Sequence, residues 1–203
     1  MKTALNTLLA RPDIWRGGFP RQDAAVATGH ADLDAALGGG WPARGLIEVL
    51  HETHGGGELT VLAPLLGTLA AAGRQIVFVD PPFLPYAPAL ASQGFINQLL
   101  LVQTGSDTDS LWTAETCLRA GCGAVLCWLD RPTHRALRRL QLAAEDGEAL
   151  ALLFRPLRAA GLPSPAVLRL AVQPGHETGL IVNLLKCRSR PAASVCLPDP
   201  AFA

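Results

Sequence analysis

Short apolar runs alternate with helical segments, glycines fall where those segments end, and a glycine-rich loop follows the first strong run. These three observations predict an α/β fold: a mostly parallel sheet flanked by helices, with a C-terminal antiparallel hairpin as its extension. The runs at 46–50, 75–79, 98–102, 124–129 and 150–154 are nearly continuous in aliphatic and aromatic residues. Strands covered on both faces read this way, whereas half-exposed strands alternate.

The elements follow in order. Leu5, Leu8 and Leu9 recur at helical spacing before Arg11-Pro12, which predicts a short helix, and an irregular arm continues through Trp15, Gly17 and Gly18. Residues 1–24 are thus read as a helix and arm, 25–190 as the main domain, and 191–203 as an irregular tail carrying Pro198 and Pro200. A short helix over 33–37 is closed by Gly38-Gly39-Gly40. The strand at 46–50 leads through Gly55-Gly56-Gly57 to a helix over 59–72 that stops at Gly73, the expected C-terminal signal. The strand at 75–79 ends at Asp80 before Pro81-Pro82, and a helix over 87–92 precedes the strand at 98–102.

A helix over 108–120 places Glu115 four residues before Arg119 and stops at Gly121. The strand at 124–129 rises to Asp130, read as the cap of a helix with Pro132 in its first turn and His134, Arg135, Arg138 and Arg139 on a solvated face. After 150–154, runs at 166–172 and 180–186 joined across Pro174-Gly175-His176-Glu177 predict the hairpin.

Composition excludes several classes. The 203 residues carry 17 Lys+Arg and 17 Asp+Glu, a formal charge of zero, with 49% hydrophobic and 17% charged residues. Such a chain has ample surface to bury, and it lacks the bulk charge that wraps nucleic acid. The longest strongly apolar stretch, residues 59–73, contains Pro64 and falls short of the roughly 18 residues a membrane span needs. Met1 to Ala10 is too weakly apolar for a signal peptide, so a cytoplasmic location is expected. Five cysteines, an odd number mostly within apolar runs, are read as buried reduced thiols. The five-residue spacing of Cys117, Cys122 and Cys127 does not match the pairs of structural zinc sites.

A glycine-rich loop between a strand and its helix is where backbone N–H groups and a helix N-terminus present positive potential to phosphate. A working P-loop adds a lysine for the terminal phosphates and a hydroxyl for magnesium. In the register His51 to Glu58, Gly56 alone meets a required glycine, Gly57 takes the lysine position and Glu58 the hydroxyl position. Two like charges about 4 Å apart oppose each other by roughly 4 kcal/mol at an effective dielectric near 20, about three decades of affinity. His51, Gly55, Gly56, Gly57 and Glu58 therefore read as a degenerate phosphate loop. No cofactor is expected, and ATP with magnesium, which Glu58 would have to hold directly, is the disfavoured alternative. His51, His54, Glu52 and Glu58 are metal ligands by type, but the spacing differs from H-E-x-x-H and three glycines make a loose cage. Exposed polar residues on a turn are the reading adopted. No G-x-S-x-G elbow occurs, and nothing demands an enzyme.

Val26-Ala27-Thr28-Gly29, Leu33-Asp34-Ala35-Ala36-Leu37 and Gly38-Gly39-Gly40-Trp41-Pro42, leading into the first strong strand and the loop, resemble the start of the RecA-type ATPase core. The resemblance runs from about Ala25 to Lys186. With the decayed loop and the arm Ile14-Trp15-Arg16-Gly17, the chain resembles more narrowly the ImuA-type accessory proteins of bacterial translesion synthesis. The middle part of the chain, from Leu62-Ala63-Pro64-Leu65-Leu66 through Phe154-Arg155-Pro156, is also similar to SulA-type division inhibitors. Carried over residue by residue, the RecA pattern puts Pro82 where a water-activating carboxylate belongs, while Asp130 after Leu126-Cys127-Trp128-Leu129 matches the acid of the Walker B strand. Lys186-Cys187-Arg188 resembles the basic pair with which RecA-like subunits reach a neighbour.

The resemblance implies a non-catalytic adaptor of SOS-induced translesion synthesis. Its implied partners are RecA and an ImuB-type polymerase-like protein, with DNA met through them. Leu5, Leu8, Leu9, Trp15, Lys186 and Arg188 are the expected partner-binding residues. The alternatives are a SulA-like inhibitor of FtsZ, an ATPase with a remodelled loop, and direct DNA binding through Arg135, Arg138, Arg139, Lys186, Arg188 and Arg190.

Overall fold

The computed structural model describes residues 25–175, 179–187 and 191–198. Leu5, Leu8, Leu9, Trp15 and Arg188 lie outside them, as do the expected N-terminal helix and arm.

A two-residue strand β1 (Ala25–Val26) pairs antiparallel with β2 (Trp41–Pro42) around helix α1 (Ala31–Leu37). The three glycines explain this return. Gly38 is the left-handed C-cap, and a Cβ on Gly40 would lie 2.3 Å from the Val26 carbonyl oxygen at φ +127°. Trp41 then sits fully buried. Beyond it come β3 (Gly45–His51), α2 (Glu58–Ala71), β4 (Ile76–Val79), α3 (Ala87–Ser92), β5 (Leu99–Val102), α4 (Asp107–Arg119), β6 (Ala124–Trp128), α5 (His134–Asp146), β7 (Leu150–Pro156), β8 (Leu168–Pro174), β9 (Leu180–Cys187) and β10 (Ala193–Leu197). Short 3-10 turns cover Ile96–Gln98 and Leu157–Gly161.

The main sheet runs β10-β9-β8-β3-β7-β6-β4-β5. Its pairs from β8 to β5 are parallel, and β8-β9 and β9-β10 are antiparallel. The predicted α/β class, with a mostly parallel sheet, flanking helices and a C-terminal antiparallel extension, is the observed one. Alternation along β3 divides the core. Ile47 and Val49 join Leu62, Leu65 and Leu66 of α2 and Leu33 of α1 on one face, while Leu46 joins Leu118 of α4 and Leu137 and Leu140 of α5 on the other. With helices over both faces, the strands lose the alternation of a one-sided sheet. Among the described residues no helix is long and apolar enough to cross a membrane.

Four sequence expectations are corrected. The stretch after Pro191 is not irregular throughout: 193–197 pairs with β9, and Val195 and Leu197 are buried against the main core. Flanking prolines hid a period-2 pattern only five residues long. Asp130 does not cap α5, and Pro132 precedes the helix rather than lying in its first turn. Thr133 is the cap, its hydroxyl accepting from the Ala136 N–H at 3.2 Å, while Asp130 accepts from Arg158 at 2.9 Å. That carboxylate is engaged outside the helix.

The fourth correction concerns the thiols. Only Cys127 is buried; Cys117, Cys122 and Cys187 are half-buried and Cys196 is exposed, and none of the five forms a disulfide. Burial pushes the Cys127 thiol up to about 12. In the native protein a thiol reagent is therefore expected to label Cys196 first and Cys127 only after unfolding, read by peptide mapping of alkylated cysteines.

Candidate functional site

The carboxyl ends of β3, β4 and β6 converge where open α/β sheets form their crevice. β3 ends at His51, and 52–57 turn back to α2, which starts at Glu58. The conformation of Gly57 fixes the register. At φ +93° it is the left-handed residue opening the helix, and a Cβ there would lie 2.3 Å from Leu180 Cδ2. Gly57 is thus the last glycine of the loop, one position later than the sequence register. Counted from it, Glu58 stands where a P-loop has its lysine and Leu59 where it has its hydroxyl.

Glu58 is 4% exposed, and its Oε1 accepts from the Gly55 N–H at 2.8 Å. A carboxylate in the first turn suits the positive end of the helix. Here it also takes a loop N–H of the kind that would otherwise meet an anion. Its Oε2 is buried without a hydrogen-bond partner. His51, 3% exposed, has both ring nitrogens buried without a partner, and its ring centroid is 4.5 Å from that of His54. His51 and Glu58 are therefore interior groups, contrary to their reading as exposed turn residues. Burial, and then the neighbouring His54, lower the His51 pKa from its usual 6.5, against the opposing pull of Glu58 and Asp130.

Below about pH 6.5 the unfolded chain takes a proton that buried His51 refuses, so stability falls as pH drops through that window. The urea midpoint is expected to fall less between pH 7.5 and 5.5 in His51→Gln than in the parent protein.

Beside the loop lies a cleft of about 210 Å³, lined by Gly55, Gly57, Glu58, Leu59 and Thr60 on one side. The opposite wall is 81–85, and Phe78 and Trp128 also line it. Trp128 stacks on Phe154 at 4.6 Å and meets the edge of Phe78 at 5.6 Å. Phe83 is in edge contact with His54 at 6.3 Å. On the rim, Phe83, Leu84 and Tyr86 are 67%, 79% and 72% exposed. The sequence reading missed this cleft, whose parts come from two loops, the first turn of α2 and two strand ends. Its signal was an aromatic residue near the carboxyl end of each of two strands, together with 81–86, Pro-Pro-Phe-Leu-Pro-Tyr.

Asp80, φ +49°, holds the end of β4. Burial pushes its carboxyl up, but hydrogen bonds from the Ser110 hydroxyl at 2.6 Å, the Thr104 hydroxyl at 2.5 Å and the Thr104 N–H at 2.6 Å outweigh it and lower the pKa. This carboxylate is consumed in tying β4 to β5 and α4. Pro82, two residues on, offers no base. The residues present thus do not fit a magnesium nucleotide: no lysine or hydroxyl stands at its loop positions, and a buried carboxylate does. Among the described residues no group of three or more His, Cys, Asp or Glu is placed to hold a metal ion.

Lys186 is not part of this site. It lies opposite Arg169 in the β8–β9 register, toward the end of the sheet away from the loop, and its Nζ donates to the Ser164 carbonyl at 3.0 Å. Arg135, Arg138 and Arg139 are exposed on α5, Arg139 paired with Glu115. Compared with protein-family models and with curated proteins, the chain matches none.

Proposed function

We propose that the protein is a non-catalytic, RecA-like adaptor in SOS-induced translesion DNA synthesis, binding RecA and an ImuB-type polymerase-like partner and meeting DNA through them. The observation that carries the non-catalytic part is the Glu58 carboxylate against the Gly55 N–H, in the loop where a RecA-type ATPase would hold phosphate. The α/β sheet and the position of the loop at its carboxyl edge support the RecA-like part. The partners rest on the sequence resemblance. In this reading the chain uses the shape of a filament subunit without the nucleotide, with the N-terminal Leu5, Leu8, Leu9 and Trp15, and Lys186 near the end of β9 with Arg188 after it, as contact residues.

Titration of the purified protein against RecA filaments and, in parallel, FtsZ tests it, with ATP turnover followed in the same samples. Saturable binding to RecA with shortened filaments, and no turnover by the protein alone, is the expected result. Binding to FtsZ alone, or turnover abolished by Glu58→Ala, would overturn it.

A further inference from the structure

Three aromatic rings, Phe78, Phe83 and Trp128, line the same cleft as the Glu58 carboxylate. Aromatic faces beside a carboxylate recognise cations: the ring quadrupole attracts the charge and the carboxylate completes it. Glu58 has an oxygen left over for this purpose. Oε1 is satisfied by Gly55, whereas Oε2 is buried and unpartnered, so it lacks the donor that buried carboxylate oxygens normally have. The walls favour a flat cation on an apolar stem. Pro81, Pro82 and Pro85 present rings opposite the loop, and a planar guanidinium stacks where a hydrated ammonium does not.

Size narrows the source. At about 210 Å³ the cleft is smaller than the roughly 300–1,000 Å³ that small-molecule sites use, and it suits a single long side chain. Its rim continues as exposed Phe83, Leu84 and Tyr86, an apolar surface that a neighbouring polypeptide would cover.

We infer that this cleft is a receptor for one arginine side chain of a protein partner, its guanidinium paired with Glu58 and lying against Trp128 and Phe83, with apolar flanking residues of the partner on Leu84 and Tyr86. The inference rests on the adaptor reading only in taking the arginine from a protein. Where a nucleotide-binding relative would present an anion for cations to reach, this chain supplies its own carboxylate.

The test uses the full chain and defined probes: N-acetyl-arginine methylamide, the matching norleucine compound, and MgATP. The Trp128 indole N–H signal in NMR, identified by its loss in Trp128→Phe, is the readout. A saturable shift with the arginine probe is expected, with at least tenfold weaker response to norleucine. At least tenfold weaker arginine binding is expected in Glu58→Gln, which preserves an acceptor for Gly55, and weaker binding also in Phe83→Ala, a change at an exposed residue that leaves the fold intact. Equal responses to arginine and norleucine would make the cleft merely apolar and overturn the inference. So would a response to MgATP alone, no shift with any probe, or unchanged arginine binding in Glu58→Gln. Because no partner is present, failure here leaves the RecA titration to stand or fall separately.

Discussion

Glu48→Gln is expected to lower stability by about 3–5 kcal/mol, the usual cost of removing one partner from a buried ion pair. Glu48 is fully buried on the central strand β3. Its Oε1 accepts from Arg155 and from the Ser164 hydroxyl, each at 3.0 Å, and its Oε2 from Arg169 Nε at 2.6 Å. Both arginines are buried, one on each flanking strand, β7 and β8. Glutamine keeps the shape and removes the charge, so two guanidinium groups would share one neutral acceptor in a dry interior. Arg169 is the better insured of the two. Its remaining donors reach the carbonyls of Ala159 at 2.8 Å and of Ala160 and Leu162 at 3.0 Å, which fastens the turn after β7 to β8. Arg155 has no such reserve, and its Nε is already unpartnered. Equilibrium urea unfolding of Glu48→Gln measures the cost. A loss below about 1 kcal/mol would mean that the carboxylate is not what holds the two cations, since that is the range of an ordinary neutral hydrogen bond.

This triad marks the boundary of what the sequence makes legible. Strand and helix identity were readable because the signal is local: continuous apolar runs, a glycine after a helix, two runs across a turn. The triad joins residues separated by more than a hundred positions, and a charged residue inside an apolar run carries no mark of its partner. β10 was missed because its two inward residues, Val195 and Leu197, are too few to establish a period between prolines. The capping error has a similar origin. Asp130 and Thr133 are both acceptable cap residues, and where the helix begins decides between them: it starts at His134, so Thr133 takes the cap position, and Asp130, three residues earlier, pairs with Arg158 instead. At the site, the loss of the phosphate lysine was legible, but the fate of Glu58 was not. Sequence shows a carboxylate where phosphate would sit; the structure shows it turned back on the Gly55 N–H and buried.

That inward turn depends on the backbone at Gly57, so Gly57→Ala carries the second large expected effect. Two costs act at once. A Cβ at φ +93° strains the backbone by about 1–2 kcal/mol, and overpacking against Leu180 adds about 1–3 kcal/mol, for a loss of about 2–5 kcal/mol. The clash is with the Leu180 side chain on β9, so relief would either turn that side chain or shift the first turn of α2. The second route would carry Glu58 away from Gly55 and open the loop. A double-mutant cycle with Leu180→Ala separates the two costs. Leu180→Ala alone is destabilising because it empties core volume, but it also makes room for the new methyl group. The double variant should therefore be more stable than the sum of the single losses by about 1–3 kcal/mol, the overpacking share, while the backbone share persists. Strict additivity in urea unfolding would show that Leu180 does not confine Gly57. The loop's shape would then be set by the left-handed backbone alone, and Gly57→Asn, which tolerates that conformation better than alanine, would recover most of the stability lost in Gly57→Ala.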